Sequence, residues 1–436
     1  MVEASGLRAV TRCQVLGSGP YSETEQGLYR GYLSPAYHAA VDLVGAWMVE
    51  AGMRVDLDPA ANLRGRYEGA APNAPALVIG SHLDSVRDGG CYDGPLGVML
   101  GIECVAALHE QGRRLPFAIE VYAFGDEEGS RFPAAMLTSR AVAGTLDADL
   151  GRIADAQGVS LEVALASFRT DYDVVTANTP TDRLSVQAYR SARRAPEDIL
   201  AYLEAHIEQG PVLEAEGLAL GTVTGIAAQL RYAATVRGMA GHAGTSSMPL
   251  RRDALAGSAE MVLAIEAIAR ADGSDLVATV GTLEVLPGAA NVIPGEVRFT
   301  IDVRSGDAGR RDRAAQAILA RLEQLASTRG LVLDLALIHD LPASPCDEAL
   351  MDLMDAAMAG AGQPPRRLVS GAGHDAMVMA ALCPTAMLFI RCRDGISHNP
   401  AEHVEPADAE AALRVMLGFI DKLGQKHLGD RLADRP

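Results

Sequence analysis

Five side chains, far apart in the chain, are of the types that hold divalent metal ions. In GSHLDSVRDGGCYDGPLG, His82 is followed two positions later by Asp84 and eleven positions later by Asp93. FGDEEGSRF sets Asp126, Glu127 and Glu128 side by side directly after an apolar run. His206 closes the apolar stretch ILAYLEAHIEQG, and His398 stands in DGISHNP just after MLFIR. Adjacent carboxylates in a buried loop repel, so both rarely stay ionised without a cation. With a cation present, one of them can ligate while another takes a proton from activated water. Asp84 can hold the second nitrogen of His82 or of a neighbouring ligand, which fixes the tautomer a metal requires. Any one of these histidines alone would read as a structural residue. Together, His82, Asp93, Glu128, His206 and His398 are too many for one tetrahedral site and suit two ions bridged by a carboxylate. Such ligands accept Zn or Mn, and also Ni or Co.

The elements that must position them follow from periodicity. Residues 35–52 read as an amphipathic helix closed by Gly52. A strand near Ala61–Tyr67 and the apolar run Ala76–Ile79 precede the first histidine loop, and Gly97–His109 is a helix. Phe117–Phe124 is a buried strand leading into the carboxylate loop. Alternating strands and helices, with active loops at strand ends, describe an α/β layer protein. The middle of the chain differs. Strand Arg231–Arg237, helix Arg252–Arg270, strands Leu276–Val285 and Glu296–Arg304, helix Ala308–Thr328 and strand Leu331–Ile338 follow the β-α-β-β-α-β order of a ferredoxin-like unit. After Asp340 the α/β character returns with helix Asp347–Ala361, strand Ala386–Arg391 and helix Pro406–Leu423. One α/β domain is thus interrupted by an inserted α+β domain. The polar last dozen residues are expected to fray.

Composition excludes several function classes. The 436 residues are 49% apolar and 22% charged, as in an ordinary globular enzyme. A net charge of −18 argues against a nucleic-acid partner. The longest apolar stretch, Ala376–Ile390, is too short to span a bilayer and is broken by Pro384, so no membrane partner is expected. The six cysteines form no CxxC pair and read as reduced thiols of a cytoplasmic protein. No signal peptide is evident.

Six ordered motifs resemble the carbamoyl-amidohydrolase group: GSHLDSVRDGGCYDGPLGV, FGDEEGSRF, HIEQGP, GMAGHAGTSSMPLRRDA, SGAGHDA and DGISHNPAE. This group of N-carbamoyl-L-amino acid hydrolases, β-ureidopropionase and allantoate amidohydrolase belongs to the aminoacylase and carboxypeptidase-like di-metal clan. The resemblance implies a di-metal exopeptidase-like α/β catalytic domain over residues 1–211 and 340–436. It also implies an inserted ferredoxin-like lid and dimerisation domain over 212–339, and a homodimer formed through it. Two divalent ions per subunit would be held by His82, Asp93, Glu128, His206 and His398. Asp93 would bridge, and His82 and His206 would serve different edges of the pair. Glu127 would be the general base and Asp84 would orient His82. Gln209 would contact the ureido group. His242 would reach toward the partner's active site and stabilise the oxyanion, and Asn291, Arg304 and, more weakly matched, Arg231 would bind substrate. After GHAG the family often has Thr-Thr-Pro-Met, whereas this chain has Thr245-Ser246-Ser247-Met248.

The substrate implied is a small ureido carboxylate. The segment RGYLSPAYHAAVDLVGAWMVEAGM and the run RCRDGISHNPAEHV favour allantoate, cleaved to ureidoglycine or ureidoglycolate with release of ammonia and CO2. An N-carbamoyl-L-amino acid or N-carbamoyl-β-alanine is the alternative. An aminoacylase or dipeptidase is more remote, because peptidase members generally carry an acid where HIEQGP stands.

Overall fold

The structure is a computed structural model that describes residues 4–25, 27–147, 149–168 and 184–433. It forms two compact units, Met1–Thr224 with Cys346–Leu368 and His374–Pro436, and Gly225–Pro345 with Val369–Gly373.

The first unit opens with α1 (Gly6–Leu16), whose Arg8 and Arg12 both bind the buried Glu103. Ser34 caps α2 (Pro35–Glu50), accepting from the N–H of Tyr37, and Pro35 presets the first turn. The chain then forms β1 (Arg54–Leu57), β2 (Leu63–Tyr67) and β3 (Ala76–His82). Next come α3 (Pro95–Glu110), β4 (Ala118–Phe124) and α4 (Leu137–Ala143). β5 (Ile199–Ile207) and β6 (Leu220–Ile226) follow. Every residue of β3 and β4 is buried, as expected of parallel strands covered on both faces.

The second unit contains β7 (Ala228–Arg237), α5 (Ala254–Asp272), β8 (Val277–Thr279), β9 (Leu283–Leu286), β10 (Glu296–Ser305), α6 (Ala308–Thr328) and β11 (Val332–Leu341). Its antiparallel sheet runs β9-β10-β7-β11, with β8 also paired to β10. Val236, Phe299, Ile301 and Val303 pack against Met261 and Ile265 of α5 and Ile318 and Leu322 of α6. The order is the expected β-α-β-β-α-β, but the single strand expected over Leu276–Val285 is two. Thr279 opposes Asp302 and Leu283 opposes Phe299, so one extra residue intervenes on this side and the strand breaks as at a bulge.

The chain returns to the first unit with α7 (Glu348–Gly360), α8 (Asp375–Met379), β12 (Thr385–Ile390) and α9 (Pro406–Ala433). The large sheet runs β1-β2-β4-β3-β5-β12-β6. Its inner strands β4, β3, β5 and β12 are parallel, flanked by antiparallel β2 and β6.

Two expectations are corrected. Residues 212–224 belong to the first unit, not the insert, because Leu220–Val223 pair with Ile390–Met387 of β12. The insert in turn extends past residue 339 and takes in Val369–Gly373. Within the C-terminal segment expected to fray, α9 runs through Ala433, with the His427 ring packed edge-on to Phe117, and residues 434–436 lie outside the described residues. Among the described residues, no helix is long and apolar enough to cross a membrane.

Candidate metal centre

The four parallel strands end on one side of the sheet, where α/β proteins place their sites. His82 is the last residue of β3, and His206 is the penultimate residue of β5. Glu127 and Glu128 follow β4, and His398 follows β12. The loop after β3 supplies Asp93. It ends at Gly94, which has a φ of 84° and lies so close to the His82 imidazole that any Cβ there would strike the ring.

Asp93 stands at the centre. Its Oδ1 lies 3.6 Å from Nε2 of His82 and 3.1 Å from Nε2 of His206. Its Oδ2 lies 3.4 Å from Nε2 of His398, which is also 3.4 Å from Oε1 of Glu128. The two oxygens of one carboxylate therefore face two different donor sets. His82 and His206 share one edge, rather than serving different edges as the sequence reading has it, because β3 and β5 are neighbours in the sheet.

The donors fit a cation. His82 sets Nδ1 3.0 Å from the backbone carbonyl of Asp84, and His206 sets Nδ1 2.9 Å from the carbonyl of Ile207. Protons on those nitrogens leave Nε2 lone pairs aimed at Asp93 Oδ1, acceptor against acceptor. The buried Nε2 of His206 has no hydrogen-bond donor facing it. A positive charge resolves the conflict. Accordingly, although burial opposes their charge, His82 and His206 have raised pKa values, and Asp93 and Glu128 push His398 up to about 10. Burial also opposes the charge of Asp93, but the three imidazoles hold its carboxyl well below the usual range. The groups His82–Asp93–His206 and Asp93–Glu128–His398 can thus each hold a divalent ion.

Around these donors sit the groups that fix them. The Asp84 carboxylate accepts the backbone N–H groups of Glu127 at 3.0 Å and Glu128 at 3.2 Å, and lies 3.5 Å from Nδ1 of His82. It holds the carboxylate loop as well as the imidazole it was expected to orient. Behind it, the fully buried Arg30 donates from Nε to the Leu83 carbonyl and from Nη1 to Leu16 and Tyr21. Gln209 donates from Nε2 to Asp93 Oδ2 at 2.9 Å. Gln209 and His398 both adopt left-handed backbone conformations, with φ of 56° and 53°. Glu127 is buried, and burial, opposed by His82 and reinforced by Glu128, pushes its carboxyl well above the ordinary range.

Two residues of this cluster escaped the sequence reading. Glu204 and His374 form a further group with His206. Glu204 precedes His206 by two positions on β5, so both side chains leave the same face. Its carboxylate accepts from Ser81 Oγ, Tyr202 OH and the N–H of Ala376. The His374 ring stands edge-on to His206 with centroids 4.4 Å apart, and burial and His206 hold it neutral. SGAGHDA carried the signal that singled out His398, a histidine in a turn after a strand.

The second unit holds the other expected residues. His242 pairs with Val292 in a short ladder, and the N–H of Ala243 donates to the carbonyl of Asn291, so His242 and Asn291 are neighbours and both exposed. Arg231 and Arg304 both clasp Asp302, with closest contacts of 2.7 Å each.

Residues 78–422 match the profile of peptidase family M20/M25/M40. The chain is 42% identical over 386 residues to the N-carbamoyl-L-amino acid amidohydrolase of Geobacillus stearothermophilus, covering 88% of this chain and 91% of that one. It is 38% identical to allantoate deiminase 1 of Glycine max, covering 95% of this chain and 89% of that one. A crystal structure of a hydantoinase/carbamoylase family amidase from Burkholderia ambifaria superposes with a TM-score of 0.86 at 34% identity, covering 97% and 98% of the two chains. The donor cluster at the ends of the parallel strands thus lies in a chain that belongs to the peptidase family M20/M25/M40, in the company of its carbamoyl amidohydrolases.

Proposed function

We propose that this protein is a metal-dependent amidohydrolase that cleaves the carbamoyl C–N bond of linear ureido carboxylates, with allantoate its foremost substrate. The observation that carries the reading is Asp93, whose two oxygens face His82 and His206 on one side and His398 on the other, beside Glu128. Two divalent ions, Zn or Mn, held there would supply the Lewis acidity that activates water and polarises the carbonyl. Glu127 takes the proton of the attacking water and passes it to the departing nitrogen. Burial and the neighbouring Glu128 raise its affinity for a proton, which favours its taking one up. The C–O bond forms first as water adds to the carbamoyl carbon, the C–N bond breaks when the resulting oxyanion collapses and expels the protonated leaving nitrogen, and the released carbamate yields CO2 and ammonia. Gln209, which donates to Asp93, would contact the ureido group.

Arg304, with Arg231 beside it, would receive the substrate carboxylate, and His242 and Asn291 would contact the reacting carbonyl. Oxyanion stabilisation of that kind needs donors close together, and the short ladder that joins His242 to the segment after Asn291 sets the two backbones side by side. A homodimer through the inserted unit is supported by the outer strand β11, where Leu337 and Ile338 are exposed. A reducing, cytoplasmic setting is supported by six free cysteines.

N-carbamoyl-L-amino acids are the second reading, favoured by the 42% identity to the Geobacillus stearothermophilus enzyme of that name. Ammonia release should be measured on the metal-loaded protein with allantoate, N-carbamoyl-L-amino acids, N-carbamoyl-β-alanine and ureidoglycolate. Allantoate is expected to be turned over fastest. Preference for a carbamoyl amino acid would replace the substrate, and no ammonia from any of them would overturn the reading. Glu127→Gln should keep its metal and lose turnover by about 10²–10⁴-fold.

A further inference from the structure

A buried carboxylate outside the proposed ligand set ties two of the ligand loops together. Glu402 lies four positions after His398 and is almost wholly buried. Its Oε1 accepts the backbone N–H of Tyr92 at 2.8 Å and that of Asp93 at 3.0 Å, reaching across 309 positions to the latter. Its own N–H donates to the Asn399 carbonyl at 3.0 Å, so the carboxylate is rigidly attached to the turn that carries His398. Gly90 makes room for it, because a Cβ at that position would overlap the Glu402 side chain. Asp84 makes the matching arrangement on the other side of the cluster, accepting the N–H groups of Glu127 and Glu128.

We infer that Glu402 is a positioning residue that sets the distance between Asp93 and His398, and hence the affinity of the ion these two hold with Glu128. The inference rests on the two-ion reading given above. Asp93 is common to both ions, so disturbing it alone weakens both. His398 belongs to one ion only, and Glu402 is the link between its turn and the Asp93 loop. Loss of the link therefore acts more strongly on the ion at Asp93, Glu128 and His398 than on the ion at Asp93, His82 and His206. An acceptor oxygen at this place is what the two N–H groups need, and a carboxamide can supply one.

The test titrates metal-stripped full-length protein with Mn²⁺ by calorimetry, and repeats it for Glu402→Gln, Glu402→Asp and Glu402→Ala. Wild type should bind two ions, and a wild type that binds none or one refutes the two-ion reading instead. Glu402→Gln should bind both ions within about threefold of wild type. Glu402→Asp, too short to reach both N–H groups, and Glu402→Ala should lose about 10–100-fold in affinity for one ion, the usual effect of removing a group that orients ligands, with the other ion changed far less. Should the alanine variant fail to fold, the aspartate variant decides. Equal weakening of both ions, or two ions bound as tightly as in wild type, would overturn the role of Glu402.

Discussion

Asp84 accepts the backbone N–H of Glu127 at 3.0 Å, so the residue proposed as the base is fixed from the loop that carries His82. The second carboxylate oxygen takes the N–H of Glu128. One side chain thereby aligns three members of the site. Asp84→Asn keeps the size but has only one acceptor oxygen, and leaves one buried N–H unpaired. The expected cost is about 1–3 kcal/mol of stability, together with a fall in kcat of at least about tenfold. Thermal unfolding and ammonia release on the same preparation check it. Unchanged kcat would show that the Glu127 loop holds its place without this carboxylate.

Gly94 is the position where the backbone comes closest to a ligand. With φ at 84° and the His82 imidazole directly against it, a Cβ is excluded on both conformational and steric grounds. Gly94→Ala should push His82 off its line to Asp93, lowering metal affinity by about 10–100-fold while the protein stays folded. Metal analysis after dialysis, with circular dichroism as the folding control, reads the outcome. Full metal content in the variant would count against the assigned place of His82.

Much of this site was legible in the sequence because its donors obey a positional rule. His82, Glu128, His206 and His398 each follow or end an apolar strand, and parallel strands deliver such residues to one edge. Part of what escaped acts through the backbone. Glu402 reads as one more acid in a polar loop, and nothing local says that it accepts the N–H groups of Tyr92 and Asp93 from the opposite loop. Asp84 was tied to His82 by proximity in sequence, and its larger share in holding Glu127 and Glu128 depends on the register of β3 beside β4. The limit of the inserted unit was misplaced for a related reason. Residues 212–224 carry no motif, and the pairing of Leu220–Val223 with β12 joins them to the large sheet. Pairing across some 165 positions leaves no mark in a local pattern.

Metal binding should release protons. Asp93 and Glu128 raise the His398 pKa to about 10, so without metal this imidazole is protonated at neutral pH. An ion bound by Nε2 must displace that proton, and affinity therefore rises with pH until about 10 and falls as the medium is acidified. Calorimetric titration with Mn²⁺ at pH 7.5 in buffers of different ionisation enthalpy, conditions set by that pKa, should give heats that differ in proportion to those enthalpies. Identical heats in all buffers would mean that His398 is neutral before the ion arrives.

Asp302 presents Arg304 to solvent in a fixed pose. Its Oδ1 accepts from Arg304 Nε at 2.7 Å and its Oδ2 from Arg304 Nη2 at 3.2 Å, while Arg304 Nη1 donates to the Gly371 carbonyl at 2.6 Å. Arg231 donates to the same Oδ2 from Nε and Nη2, and Gln229 adds a third donor. Asp302→Asn has two opposite consequences. It removes a negative charge that competes with a substrate carboxylate, and it frees two long side chains that must be ordered again on binding. Both guanidinium groups are partly exposed, so the charge gain is screened. Ordering each side chain costs about 0.5–1.5 kcal/mol, and this effect wins. KM for a ureido carboxylate should rise about 3–10-fold with kcat nearly unchanged, whereas a carbamoyl substrate whose carboxylate is replaced by an amide should show no such rise. A lower KM in the variant would mean that Asp302 restrains substrate binding through its charge, and equal effects on acid and amide would remove Arg304 from carboxylate recognition.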